Sequence, residues 1–297
     1  MASIRPLTDD MKYYHKAFGV YDRVADRHNV LNSWMETQLR EVVKTMDDVT
    51  DPMRVLCIGP GDGTIENTVL KVLRDGKAPT GRVNATVVEP VADMVALFQA
   101  RIAADDAAHQ QGMSYEWTTQ TLDEFRGEIA GKDDVKFHFI SSVHSIYYVP
   151  DLEATLKDLY DRLEPGGVMM VIVVSENAGL GRLWKRFPLL GGARQHHPTS
   201  AEIEAACAKQ NIPVSENYTI KVRSNITGCF SKAEDRTEDA NLLLDFFTHA
   251  VNFVQDAPDE LQSEVVEFLR SDACTEKRGG DQMYFIGDWN ALIVRRK

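Results

Sequence analysis

Residues 54–64 read Arg54-Val55-Leu56-Cys57-Ile58-Gly59-Pro60-Gly61-Asp62-Gly63-Thr64. A short apolar run enters a loop in which three glycines alternate. The run predicts a buried strand over Met53–Ile58, and Val69, Leu70, Val72 and Leu73 predict a helix over Glu66–Arg74. Strand, glycine loop and helix in that order open a sheet that binds a nucleotide at its carboxyl edge. The spacing narrows the choice of nucleotide. A diphosphate turn uses G-x-G-x-x-G with its amides aimed at the phosphates. Here Gly63 comes one residue early and Pro60 removes a donor. The loop suits an uncharged or zwitterionic moiety lying close to the backbone, an approach that the missing Cβ of glycine permits. A tight turn without a ligand is the alternative for these glycines taken alone.

Working outward, a second strand over Val83–Val88 ends at Glu89-Pro90. An acid at that point accepts both hydroxyls of a ribose. A helix over Val91–Ala103 follows, then strands over Met113–Thr118 and Val135–Val143 and a helix over Leu152–Leu163. Pro165-Gly166-Gly167 reads as a turn before a fully apolar strand, Val168–Val174. This alternation predicts an α/β fold with an open, mostly parallel sheet and helices on both faces. S-adenosylmethionine has a ribose, no phosphate and an amino-acid end. The ordered set of pieces resembles the class I S-adenosylmethionine-dependent methyltransferases. That resemblance implies a Rossmann-like, seven-stranded sheet with a small substrate-capping subdomain. It also implies a cofactor held by Gly59, Pro60, Gly61, Gly63 and Glu89.

The 297 residues carry a formal net charge of −12, which disfavours nucleic acid and anionic membranes as partners. Cys57, Cys207, Cys229 and Cys274 are too scattered for a zinc site or a disulfide framework. No ligand spacing for a metal is apparent. No apolar run reaches the ~18 residues of a membrane span, and the first residues lack a signal core. The expectation is a soluble cytoplasmic monomer.

Tyr13, Tyr14, Phe18, Tyr21, Val24, Leu31, Trp34 and Leu39 recur at helical spacing over 11–46, with an interruption near Asn29–Asn32. Beyond residue 175 the alternation stops. Residues 180–198 are basic, aromatic and broken by glycine and proline. A helix to Lys209, a strand over Val214–Val222, a helix over Leu242–Phe253 and a closing strand over Gln282–Val294 are predicted.

The chain also resembles the histamine N-methyltransferases nearly end to end, most clearly at VVEP (87–90), SIYYV (145–149), VIVVS (171–175), LWKRF (183–187) and DFFTHAVNF (245–253). The resemblance implies one methyltransferase domain over 1–297. Within it, 1–50 forms a helical acceptor-site cap, 51–178 the cofactor core, 179–260 an acceptor subdomain, and 261–297 strands that complete the sheet. It adds Thr121 and Val143 to the cofactor contacts and leaves Met94 where a polar contact is expected. It implies aromatic walls for the acceptor from Tyr14, Phe18, Tyr147, Tyr148, Trp184 and Phe246. Core packing is the alternative for Phe18, Trp184 and Phe246.

Where that family grips its substrate through a glutamate, a glutamine and an asparagine, this chain has Arg27, His144 and Asp288. Asp26 and Asn290 stand beside the first and last. An arginine lining the pocket favours a carboxylate over a bare ammonium, with Asp288 left to hold an amine. His144 and Tyr148 are the candidate catalytic residues, His144 orienting the acceptor or taking its proton. The reaction implied is N-methylation of a small amine or imidazole: histamine, or a zwitterion such as histidine or an imidazole dipeptide. A catalytically inactive cofactor-binding sensor or partner protein is the alternative.

Overall fold

The computed structural model describes residues 4–47, 49–78, 80–105, 111–188, 190 and 197–297. Ten strands are found among them. A seven-stranded sheet has the order β3-β2-β1-β4-β5-β10-β6, and a three-stranded sheet has the order β7-β9-β8. The chain divides into two compact units. One comprises Leu31–Val173, Ser200–Tyr218 and Asn290–Lys297, the other Met1–Val30, Val174–Thr199 and Thr219–Trp289.

In the first unit, β1 (Met53–Ile58), β2 (Val83–Val88) and β3 (Met113–Thr118) have the bounds that their apolar runs predict. β4 (Phe137–Val143) and β5 (Leu163–Val174) follow. β1 pairs parallel with β2 and β4, β2 with β3, and β4 with β5. The seven-stranded, mostly parallel Rossmann-like sheet is therefore present. β6 (Val214–Ile220) and β10 (Trp289–Arg295) complete it. One face buries Leu56, Ile140, Met169, Val171 and Leu292 against Leu156, Leu159, Ile203 and Cys207. The predicted turn at Pro165-Gly166-Gly167 lies inside β5. Gly166 has φ +76° there, and the β4–β5 register shifts between Phe137 and Phe139.

The second unit holds the helix Met11–Val24 (α1), the start of Arg27–Trp34 (α2), and the helix Glu238–Thr248 (α3). Its sheet is antiparallel, with β9 (Gln282–Ile286) between β7 (Arg223–Asn225) and β8 (Thr275–Arg278). Residues Leu242–Thr248 are all buried, as expected of a helix at the centre of a core. Leu183, Leu244, Phe247, Phe253, Val265, Leu269 and Phe285 join it there.

Several elements differ from the sequence reading. The first break in the N-terminal helices falls at Ala25-Asp26. Asp26 N–H donates to the Arg223 carbonyl at 3.0 Å, and its Oδ1 accepts from Arg223 N–H at 2.7 Å. The helix predicted to reach Phe253 stops at Thr248 because His249 turns left-handed, with φ +52°. The predicted closing strand is two strands parted at Gly287-Asp288, and only the second enters the large sheet. Helices over Leu122–Glu128, Gly179–Arg186 and Asp259–Arg270 had no counterpart in the sequence reading.

Candidate active site

The glycine loop is held by residues from the helix Ala92–Ala104 and from the segment after β4. Gly59, Gly61 and Gly63 all have positive φ, at +55°, +58° and +73°. A Cβ on Gly59 would stand 2.6 Å from the Ser145 Cβ, and one on Gly63 would stand 1.9 Å from the Phe98 ring. A Cβ on Gly61 would meet nothing within 4 Å. Gly59 and Gly63 thus serve packing, while Gly61 faces open space where a ligand fits. Ser145 locks the loop to the end of β4: its Oγ donates to the Ile58 carbonyl at 2.6 Å and lies 2.8 Å from Ser142 Oγ.

Glu89 is 5% exposed and stands at the carboxyl end of β2. Its Oε2 accepts from Gly61 N–H at 3.0 Å and its Oε1 from Val91 N–H at 2.9 Å. Each oxygen keeps a second lone pair, enough for two ribose hydroxyls. Three more loop amides are also spent: Gly59 N–H on the Val88 carbonyl, Gly63 N–H on the Pro60 carbonyl, and Thr64 N–H on Asp62. Burial raises the Asp62 carboxyl, but Thr64 and Arg101 outweigh it and hold it below its ordinary value. Two carboxylates beside committed amides oppose a diphosphate. They fit an adenosyl group without phosphate. Thr118, whose carbonyl accepts from Glu89 N–H at 3.2 Å, has a buried Oγ1, and Gln120 a buried Oε1, with no hydrogen-bond partner among the described residues. Both are unspent acceptors for a base or sugar donor.

Thr121 caps the helix Leu122–Glu128. Its Oγ1 accepts from Glu124 N–H at 3.2 Å and donates to Glu124 Oε2 at 2.8 Å. Its backbone N–H also donates to Glu124 Oε2, at 2.8 Å, and together these bonds close a capping box. Val143 ends β4, where it pairs with Ile172.

His144 follows in a left-handed conformation, φ +53°. For a residue other than glycine this costs about 1–3 kcal/mol and clusters at functional sites. Its Nδ1 lies 2.9 Å from the Tyr147 hydroxyl, with the rings 6.2 Å apart and 24° from parallel. Tyr148 is 66% exposed. Desolvation of its hydroxyl and then the Glu89 charge raise the phenol above its ordinary value, so these two groups lie within electrostatic reach.

The other predicted acceptor residues belong to the second unit. Tyr14 and Phe18 stack at 6.0 Å and 6°, Phe18 and Phe246 approach to 5.9 Å, and Phe246 lies 4.6 Å from Tyr21. Arg27 lies over the Phe18 ring, 4.8 Å from its centroid. Trp184 meets His197 at 5.2 Å and His249 at 5.5 Å. Burial, and then the neighbouring His197, push His249 down to about 3, so it is neutral. Asp288 forms an ion pair with Arg223, which also faces Glu276 at 3.1 Å. The Asp288 carboxylate is thus committed to an arginine that the sequence reading did not consider. Asp26, the alternative to Arg27, is committed to the Arg223 backbone.

The sequence reading also missed Glu66, whose spacing with Val69, Leu70 and Leu73 put an acid on an apolar stripe. Glu66 is 2% exposed and accepts from Ser141 Oγ at 3.1 Å. Burial pushes it up to about 7. Asp245, in α3, is 1% exposed and accepts from the Tyr13 hydroxyl at 2.6 Å and Phe253 N–H at 2.7 Å. No group of three or more metal-ligating side chains occurs among the described residues, and none of their helices is long and apolar enough to cross a membrane.

A family described as Methyltransferase domain matches residues 31–214. A histamine N-methyltransferase of Danio rerio is 27% identical over 297 residues, spanning 99% of each chain. Histamine N-methyltransferase A of Xenopus laevis is 26% identical over 300 residues, spanning 99% of this chain and 98% of its own. Among solved structures, the YcgJ protein of Bacillus subtilis aligns over 91% of this chain and 99% of its own at 13% identity, with a TM-score of 0.51, a likeness of fold.

Proposed function

The chain belongs to the methyltransferase-domain family, and from that premise we propose that it methylates a nitrogen of a small amine or imidazole. It is an S-adenosylmethionine-dependent methyltransferase. The acceptors in view are histamine and zwitterions of similar shape, such as histidine or an imidazole dipeptide. Nearly full-length similarity to histamine N-methyltransferases supports that choice. The observation that carries the cofactor reading is the clamp on Glu89, which spends the Gly61 amide on a carboxylate where a diphosphate site keeps it free.

When bound, S-adenosylmethionine supplies an electrophilic methyl on a sulfonium whose leaving group departs neutral. Glu89 grips the ribose, and Gly61 lets the ligand lie against the loop. No acid is needed for the leaving group, so the protein's work is alignment and exclusion of water. Tyr14, Phe18, Trp184 and Phe246 supply apolar walls, and an aromatic face that is not already covered attracts a cation by roughly 0.5–2 kcal/mol. An imidazole acceptor is largely neutral near pH 7 and needs no strong base. For an amine, His144 takes the proton. Its Nδ1 lies 2.9 Å from the Tyr147 hydroxyl, a contact that orients the ring for that transfer. Tyr148, whose phenol feels the Glu89 charge, is a further candidate contact.

The test is incubation with methyl-labelled cofactor and a panel containing histamine, histidine and an imidazole dipeptide, read by mass spectrometry. Label on an acceptor nitrogen is the expected result. Tight binding of S-adenosylhomocysteine with no label on any acceptor sinks the reading and leaves a cofactor-binding protein without turnover.

A further inference from the structure

Arg27 opens α2 beside the ring cluster of α1 and α3. Its side chain is 12% exposed. Its face lies on Phe18, and its Nε donates to Asp22 Oδ1, which His28 Nε2 also approaches at 2.9 Å. A guanidinium carries five N–H donors in a planar fork. One is spent on Asp22. Among the described residues, no acceptor meets Nη1 or Nη2, and neither nitrogen is sealed from solvent. Four donors of a largely desolvated cation are therefore available on the edge turned away from Asp22.

Other acids of this unit near it in sequence or kind are committed elsewhere. Asp26 accepts from Arg223 N–H, and Asp288 pairs with the Arg223 side chain. An ammonium in this place meets a like charge, and the adjoining face of Phe18 is already taken by the guanidinium. A carboxylate meets two parallel, charge-assisted hydrogen bonds.

We propose that the Nη edge of Arg27 is the receptor for a carboxylate on the acceptor, so that the substrate carries both a nucleophilic nitrogen and an acid group. This rests on the N-methyltransferase reading above and selects its zwitterionic acceptors over histamine. The amino-acid end of the cofactor is a second source of the same carboxylate chemistry, and the experiment separates the two.

Wild type, Arg27→Gln and Arg27→Lys are compared on two acceptor pairs: histidine with histamine, and β-alanylhistidine with its carboxyl amide. Each protein is also titrated calorimetrically with S-adenosylhomocysteine. Wild type is expected to prefer the acid of at least one pair. In Arg27→Gln the acid-to-partner ratio of kcat/KM falls roughly 10–100-fold, with Arg27→Lys between. The affinity for S-adenosylhomocysteine stays within about twofold, which also shows that the variants are folded. Turnover of histamine or the amide in preference to both acids, or a ratio that Arg27→Gln does not move, overturns the proposal and leaves N-methylation standing. A loss of S-adenosylhomocysteine affinity confined to the Arg27 variants assigns the arginine to the cofactor instead and also overturns it. Turnover of none of the four acceptors by wild type sinks the proposal together with the reading beneath it.

Discussion

Around Glu89, hydrogen bonds join a carboxylate to main-chain amides, and the glycines that shape the loop are fixed by Ser145 and Phe98. Around Phe18 and Phe246, the contacts are ring on ring, and the polar ends are tied down by side chains: Tyr13 to Asp245, Arg27 to Asp22, Asp288 to Arg223. Backbone recognition is rigid and insensitive to most substitutions nearby. Side-chain recognition is adjustable, because one replacement changes shape or charge without moving the scaffold. A constant methyl donor suits the first kind of site and a variable acceptor suits the second.

The largest expected effect tests whether the ring cluster is structural as well as functional. Phe246 is 7% exposed and packs against Tyr21, Phe18 and Phe247. Phe246→Ala is expected to lower stability by about 3–5 kcal/mol, measured by denaturant unfolding, with S-adenosylhomocysteine affinity little changed. A stability loss under about 1 kcal/mol makes the cluster a pocket wall rather than core.

Next is Glu89. Because both carboxylate oxygens accept backbone N–H groups, Glu89→Gln sets its own NH2 against one of those amides. It should behave like Glu89→Ala, weakening S-adenosylhomocysteine by about 2–3 kcal/mol, or roughly 30–150-fold, by the same factor for every acceptor. Calorimetry reads it. An unaffected Glu89→Gln detaches the ribose from this acid and removes the contrast drawn above.

His144 is where the rigid side carries strain. Asparagine tolerates φ +53° as well as histidine does, so His144→Asn should leave the melting temperature within a few degrees. It should lower kcat for an amine acceptor by roughly 10–100-fold. A neutral imidazole acceptor should lose less. Equal losses on both make His144 an orienting group rather than a base.

How legible each region was in the sequence follows the same division. β1 is a mostly apolar run that ends in the glycine loop, and β2 and β3 alternate apolar with polar residues, so their bounds follow from local signals. The position of Glu89 was legible because it depends only on where β2 ends. The Asp26–Arg223 tie spans 197 residues, and the unit that contains it is assembled from three chain segments. No local periodicity encodes such a contact. Hence the helix break at Ala25-Asp26, the Arg223–Asp288 pair and the Asp245–Tyr13 bond escaped the sequence reading. Thr121 shows a local signal that was passed over: a residue read for a ligand contact also carries a capping signal that Glu124, three residues on, makes visible. Of the acceptor residues, the sequence reading named the rings but could not say which charges were already neutralised.

The smallest effect concerns Glu66, beneath the cofactor loop. Its carboxyl rises from an ordinary value of 4.5 to about 7 through burial, with Cys57 and Ser141 opposing the rise. In the folded protein it therefore holds a proton that the unfolded chain has released between about pH 4.5 and pH 7, so its contribution is complete below the first value and lost as pH rises through the second. His138, near the opposite end of β4, works the other way. Burial and then Arg54 lower it, and its Nδ1 accepts from Arg54 N–H at 2.9 Å. Its contribution is present above about pH 6.5 and is lost on acidification. The wild-type curve alone mixes the two. Glu66→Gln keeps a neutral side chain of the same shape, so the difference between wild type and variant isolates Glu66. That difference should decline by on the order of 1–2 kcal/mol from about pH 5 to about pH 8. If it stays flat, Glu66 is charged or hydrated in the fold, and the floor of the cofactor loop is wetter than its 2% exposure indicates.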